Sequence, residues 1–424
     1  MELTPREIEI LEGKYGKSYG KIMKTMVMYG DTFGATKLVP VTGEYGHLVT
    51  SFGISIMKPV FHLMDELLST GVKSKQAFTV DPRPMDFDGV PSNIAQKIFF
   101  KVMYGKQKDY EVQLNKMGLL SEEAFTCTCY MDEVGNIPKK GDVLSWAESS
   151  AVVYANSVLG ARCNRNSGII EMFGSILGKV PYFGLLTDEG RKAQWIVEVK
   201  TDSLPEAQVL GSAIGLKVME DVAYIKNLDH YFEGNLDQRA KDYLKDMGAA
   251  TASNGAVGLY HVEGLTPEAK ELAQALLVED PQVYVIDEKE LKRVKDNYPI
   301  MWKDKKAKAK LCFIGCPHLS LDQLISWTHR IESSLKANRQ KKVLIPTVLT
   351  ASTPVLKEFN SLPIADKLKG LGVETSYICP LMYMNNPLCG KMPVITNSNK
   401  LRTYTTSRYY TDSEILDAIT KEGF

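Results

Sequence analysis

The sequence predicts an α/β protein of several domains, and three observations carry that reading. The chain has 424 residues, too long for one ordinary hydrophobic core and suited to about two or three. Its last third runs strand, helix, strand, helix, strand, an alternation that builds a parallel sheet covered by helices. A stretch from about 196 to 300 alternates in the same way. The expected division is 1–195, a first α/β region with a polar wall; 196–300, a second α/β region; and 301–424, a third.

Bulk properties narrow the class. A hydrophobic fraction of 44% and a charged fraction of 24% are ordinary for a soluble globular protein. The 51 basic and 51 acidic residues cancel, which argues against broad non-specific nucleic-acid binding. No apolar run reaches the length of a membrane span, and Met1 to Ile10 lacks the basic-then-apolar order of a secretory signal. The expected location is the cytoplasm. Seven cysteines stand at 127, 129, 163, 312, 316, 379 and 389. The odd count and the lack of Cys-x-x-Cys argue against a disulfide framework, a zinc ribbon or a thioredoxin-type site.

In chain order, Thr4-Pro5-Arg6-Glu7 opens a helix with a capping box. A turn at 30–35 and a short apolar run at 37–41 follow. Gly43 to Gly53 sets His47 and Ser51 among glycines, which let backbone and ligand approach closely. Residues 56–70 read as an amphipathic helix. The strand-like run 77–80 ends in Asp81-Pro82-Arg83-Pro84, where two prolines hold Arg83 stiffly, as a guanidinium for an anionic substrate would need. Residues 93–118 read as helical with lysines along a solvated side. If Phe125 to Tyr130 is a strand, Cys127 and Cys129 point to opposite faces.

The densest polar stretch runs from Trp146 to Gly168. In a helix from about Ser149, residues 149, 153, 156 and 160 share a face. Polar groups inside apolar helix are costly to bury without partners, and arginine forks grip carboxylate or phosphate. Ser149, Asn156, Ser157, Arg162, Asn164 and Arg165 therefore read as a substrate-binding wall.

Between 196 and 300, strands are expected at 196–200, 259–262 and 283–287, with helices starting near Leu204 and running from Thr266 to about Val278. His261 reads as structural. After the basic run 303–310, strand 311–315 leads through Cys316-Pro317-His318 to a helix capped by Ser320 with Gln323. Strand 343–345, helix 354–369 and strand 373–378 follow, the last ending at Cys379-Pro380. A further strand ends in Thr396-Asn397-Ser398-Asn399-Lys400. Parallel strands bring their carboxyl ends to one edge, so Cys316, Cys379, Ser398 and Lys400 should meet there. A third thiol from Cys127 or Cys129 would complete three cysteine ligands for an iron–sulfur cluster with one open iron, the arrangement of a hydro-lyase.

Thr126-Cys127-Thr128, the run 146–165 (Trp-Ala-Glu-Ser-Ser-Ala-Val to Asn-Arg), Gly315-Cys316-Pro317-His318-Leu319-Ser320, Cys379-Pro380 and Thr396-Asn397-Ser398 together resemble the large, catalytic subunit of the aconitase X family, within the aconitase superfamily. The resemblance spans nearly the whole chain. It implies an aconitase-like multidomain α/β fold with parallel and mixed sheets flanked by helices. It also implies an iron–sulfur dehydratase, with Cys127, Cys316 and Cys379 as ligands to a cluster of 4Fe–4S, 3Fe–4S or 2Fe–2S type. The small swivelling domain, thought to supply a catalytic serine, is expected on a separate small subunit, since this length leaves no room for it. Candidate catalytic groups are His47, Glu148, Ser149 and His318. Candidate substrate ligands are Ser51, Arg83, Asn156, Ser157, Arg162, Asn164, Arg165, Ser398 and Lys400.

Two substrates are associated with the family, cis-3-hydroxy-L-proline and mevalonate 5-phosphate. Departures at 78–84, Cys129 and Cys163 from the phosphomevalonate type favour the hydroxyproline-like acid or another small hydroxy acid. Two readings compete: a non-enzymatic metal-sensing or RNA-binding relative, and a cofactor-free hydrolase or transferase with Cys163 or Cys316 as nucleophile.

Overall fold

The computed structural model describes residues 1–49 and 53–423, so Ser51 lies outside the described residues. The C-terminal unit is built on a five-stranded parallel sheet in the order Val373–Ser376, Thr347–Ala351, Leu311–Leu319, Val394–Thr396, Arg408–Tyr409. Its central strand is buried along its whole length, as a strand covered on both faces must be.

That strand does not stop at Gly315. It continues to Leu319, and its register with Thr347–Ala351 shifts between Ile314–Leu349 and Leu319–Ala351. Residues 315–318 therefore bulge out of the ladder, and Cys316 sits on this bulge instead of beyond the strand end. Gly315 makes the bulge possible: its φ is +104°, and a Cβ there would lie 2.6 Å from the Thr350 carbonyl oxygen. The Cys316–Pro317 peptide is cis. Ser320 and Gln323 then form the expected capping box of helix Leu321–Ala337.

Three elements here differ from expectation. The second strand is Thr347–Ala351, not 343–345, because Pro346 lacks an N–H and the ladder forms only after it. The expected helix 354–369 is two helices, Thr353–Asn360 and Pro363–Gly370, broken where Pro363 cannot continue the first. The third strand is shorter, Val373–Ser376.

The middle unit holds a four-stranded parallel sheet in the order Tyr260–Val262, Ala223–Lys226, Ala193–Val199, Leu277–Ile286, flanked by helices Ala207–Val218 and Gln238–Asn254. Its core takes in residues from the polar stretch, including Trp146, Val153, Val158 and Cys163. The strand Ala193–Val199 also straddles the boundary expected at 195. The first unit therefore lends a segment to the second.

The N-terminal unit packs helices Lys17–Thr32, Lys58–Ser69 and Ile170–Leu177 around short strands. Gly46–Leu48 pairs in parallel with Phe78–Val80, setting His47 opposite Thr79. The expected helix 93–118 is two, Ile94–Met103 and Gln107–Met117. The first carries the capping box Asn93/Gln96 and packs on a further core shared with the C-terminal sheet.

Candidate active site

Cys127, Cys316 and Cys379 arrive from three segments and line one cavity of about 480 Å³, with Asp81, Glu148, Ser149, His318 and Lys400. The short Cys-Thr-Cys segment is not a strand, yet its thiols do part company. Cys127 is half-buried at the cavity, and Cys129 is fully buried beside His47. The alternative third thiol, Cys129, is thus turned away from the cavity.

The donor set fits an iron–sulfur cluster. Among the described residues, no three His, Cys, Asp or Glu side chains crowd onto one point, as a single metal ion demands. The three thiols line one cavity, and cysteine thiolates are the ligands that hold iron–sulfur clusters. Burial raises all three thiols above their ordinary pKa, and Cys316 further raises Cys379, to about 12. The Lys400 ammonium opposes this at each of them. A bound cation reverses such shifts and draws out thiolates.

The cysteine-bearing loops are held by named groups. The Ser398 hydroxyl donates to the Cys316 carbonyl and accepts from Leu401 N–H at 3.1 Å, capping helix Asn399–Tyr404. Ser398 is thus bonded to the Cys316 loop. His318 has both ring nitrogens committed: Nε2 is 3.0 Å from the Ile378 carbonyl oxygen and Nδ1 is 3.0 Å from Thr126 Oγ1. A carbonyl can only accept, so Nε2 carries the proton and Nδ1 accepts from Thr126. Burial pulls the His318 pKa down to about 4, keeping the ring neutral. Its backbone N–H donates to Cys127 Sγ at 3.4 Å. His318 thereby ties the Cys127 loop to the segment that ends in Cys379.

Glu148 adopts φ +77° and caps helix Ser149–Ser157. It accepts from Ala151 N–H at 2.7 Å and Ser150 Oγ at 2.5 Å, and pairs directly with Lys400. Burial resists its ionisation, but Lys400, Ser150 and Ala151 outweigh that and hold the carboxyl below its usual range.

Behind the cavity wall, His47 Nδ1 is 2.8 Å from Thr79 Oγ1 and Nε2 is 3.5 Å from Asp81 Oδ1. Burial opposes a charge on His47, yet Cys129 and Asp81 hold its pKa up at about 10. Asp81 itself lines the cavity. Sequence reasoning passed over it, because only the fold brings it beside His47.

The polar stretch is mostly not a wall of this cavity. Asn156 bonds the backbone of Cys163 and Gly258, and Ser157 accepts from Tyr260 N–H. Arg162 pairs with Asp188, Asn164 bonds Phe183 and Leu185 backbone, and Arg165 donates to the Ala256 carbonyl. Arg83 is spent on Glu111 and the Glu122 carbonyl, against the Phe125 ring. These polar groups sew the chain together and none of them lines the cavity. The stretch does reach the cavity at its two ends, through Glu148–Ser149 and through Asn166-Ser167-Gly168, which the sequence did not single out. Cys163 is buried away from the cavity, and burial pushes its thiol up to about 12. A second, larger cavity of about 600 Å³ shares Gly315 and Cys316 but is lined by Glu206, Asp242, Asp246 and Asp412, without the other two thiols.

Comparison with known proteins places this geometry. Residues 1–189 match the family profile of the aconitase X first domain, and residues 193–296 that of the aconitase X second domain. The chain is 33% identical to a phosphomevalonate dehydratase large subunit of Thermococcus kodakarensis, over 84% of this chain and 82% of that one. It is 26% identical to a cis-3-hydroxy-L-proline dehydratase of Hypocrea jecorina, over 95% of this chain but only 65% of that longer protein. A crystal structure of Thermococcus kodakaraensis aconitase X in its holo form superposes with a TM-score of 0.81 at 29% identity, covering 99% of this chain and 100% of that one. No helix among the described residues is long and apolar enough to cross a membrane. The relatives are dehydratases, so the non-enzymatic reading gives way. The chain belongs to the aconitase X family, as a large subunit, and is a hydro-lyase of that type.

Proposed function

We propose that the chain is the large subunit of an iron–sulfur dehydratase that removes water from a small 3-hydroxy carboxylate, with mevalonate 5-phosphate as its substrate. The observation that carries the reading is the convergence of Cys127, Cys316 and Cys379 on one cavity with the Glu148–Lys400 pair. A cluster held by those thiols supplies a Lewis acid for the departing hydroxyl. In the overall reaction a proton leaves C2, the C3–O bond breaks, and a C2–C3 double bond forms with release of water. Lys400 presents its ammonium to the substrate carboxylate, and Glu148 fixes where it points. Asp81, which lines the cavity with its Oδ1 3.5 Å from His47 Nε2, is placed to exchange a proton with the substrate. Ser149, at the helix start, orients the bound acid. His318 holds the ligand loops and moves no proton. A separate small subunit completes the cavity, in keeping with the large-subunit relatives. The seven free thiols suit a reducing cytoplasm.

The higher identity to the phosphomevalonate dehydratases supports that substrate over cis-3-hydroxy-L-proline. One observation favours the second acid: among the described cavity residues, Lys400 is the one charged cation, and Glu148 already engages it. No described arginine there awaits a phosphate.

The test is anaerobic purification with the small subunit, assay of iron and sulfide, and incubation with each acid. Iron-dependent loss of water from mevalonate 5-phosphate is expected. Turnover of cis-3-hydroxy-L-proline alone selects the second reading, and activity in iron-free protein overturns both.

A further inference from the structure

Helix Ile94–Met103 has an inner and an outer face of unequal logic. Its inner face is bound tightly to the cavity wall. Phe100 packs against Tyr383 with ring centroids 5.2 Å apart, the Tyr104 hydroxyl just beyond the helix donates to the Met382 carbonyl at 3.0 Å, and Gln96 Nε2 donates to Cys389 Sγ at 3.3 Å. Met382 and Cys379 from that same segment line the thiol cavity.

The outer face is apolar. Ile94, Ile98 and Val102, one turn apart on a single stripe, are 79%, 61% and 70% exposed. The stripe is extended at one end by Ile56, 83% exposed, next to Ser55, whose N–H bonds the Met103 carbonyl. Leu388, beside Cys389, is exposed as well. The expected solvated lysine face is not this one, and lysines only border it. Lys101 and Lys108 are exposed beside it, whereas the exposed Lys106 is paired with Asp109 at 2.7 Å. A contiguous β-branched patch of this kind is rare on a surface that faces only water.

We propose that this stripe is the docking surface for the small subunit, whose matching face would be apolar with an acidic rim. This rests on the two-subunit reading above. Two observations choose the occupant. The stripe lies one helix thickness from the cavity that needs covering. About a third of the length of the longer hydroxyproline dehydratases lies outside the part matched by this chain, so the family builds a further part beside this fold. The basic border supplies charge complementarity that steers the partner, and the isoleucines and valine supply the buried centre of the contact.

The experiment is calorimetric titration of the purified chain with the separately purified aconitase X small subunit of the same organism. Ile98→Glu combined with Val102→Glu is expected to weaken binding by about a hundredfold, as loss of central apolar anchors does, with the urea midpoint unchanged. Val283→Glu, at a side chain 58% exposed on the strand Leu277–Ile286, is the control and is expected to bind like wild type. Binding by the double variant within about threefold of wild type overturns the proposal, given how much apolar anchors contribute to such contacts. So does a wild-type chain that does not bind the small subunit, or one that dimerises alone through a contact the double variant abolishes. Dehydratase activity of the mixture is read in parallel. Activity lost in the double variant and restored by excess small subunit supports the docking surface. A wild-type pair that binds but dehydrates nothing overturns the catalytic reading while the binding loss in the variant still supports the surface.

Discussion

Replacing Lys400 with methionine tests the electrostatics of the cavity directly. The Lys400 side chain is 11% exposed and that of Glu148 5%, so the two charges face each other almost out of water. Removing one member of a buried pair costs about 3–5 kcal/mol, because the partner is left as an uncompensated charge. Glu148 keeps the Ser150 hydroxyl and the Ala151 N–H, which places the expected loss near the lower end, at about 3 kcal/mol. Adding Glu148→Gln removes the stranded charge while a side-chain oxygen still caps the helix. The double variant should therefore recover about 2 kcal/mol of the loss, a coupling typical of residues in contact. The Glu148 carboxyl sits below its unfolded pKa, so its contribution is present above about pH 4.5 and lost as pH falls further. Lys400 is raised, so its contribution persists until strongly alkaline pH. Urea unfolding followed by tryptophan fluorescence should show a loss that is flat across neutral pH, and both variants should lose dehydratase activity. A Lys400→Met chain that unfolds with the wild type, or a double variant no more stable than the single one, refutes the reasoning.

Three further outcomes are expected. Cys127→Ser, Cys316→Ser and Cys379→Ser should each abolish iron–sulfur absorbance in anaerobic protein, whereas Cys129→Ser and Cys389→Ser, whose thiols are buried outside the cavity lining, should keep it. Asn156→Ala should cost about 3 kcal/mol in urea unfolding, since it strands the Cys163 and Gly258 backbone groups, and should leave KM unchanged. Burial and the neighbouring Asp412 push Glu206 up to about 7. The folded chain thus holds that proton more tightly than the unfolded one, and stability is lost as pH rises from about 4.5 through 7. Glu206→Gln should remove about 1–2 kcal/mol of that decline between pH 5 and pH 8 and change little at pH 5, as unfolding at the two pH values would show.

What could be read from sequence follows from what each signal depends on. The central strand and its capped helix were legible because burial on both faces and a Ser-x-x-Gln box are local properties. The strand Thr347–Ala351 was displaced by one short run because Val343-Leu344-Ile345 is equally apolar and only Pro346 decides between them. The polar run 149–165 looked like a ligand wall because buried amides and guanidiniums must be satisfied, and sequence does not say by what. Here the partners are distant backbone carbonyls at 183, 256 and 258. Asp81 escaped notice for the opposite reason. A single carboxylate in a proline-rich loop carries no pattern, and its meaning comes only from His47, some thirty residues earlier.

The convergence of the thiols explains why such signals had to be scattered. Cys127 lies on a loop tied to the N-terminal strands through the Val80–Phe125 bridge, while Cys316 and Cys379 belong to the C-terminal sheet. Glu148 opens a helix that packs in the middle core. The cavity therefore exists only where three cores meet, and cross-ties hold that junction: Lys400 to Glu148, Asn399 to Gln208, and Arg402 to Asn254 all run from helix Asn399–Tyr404 into the other units. Cutting the first tie loosens the seat of Cys316 through Ser398 on the same helix, so the Lys400→Met chain should hold iron less firmly even though Lys400 is no ligand. That loss should persist in the double variant, because removing the stranded charge does not restore the tie.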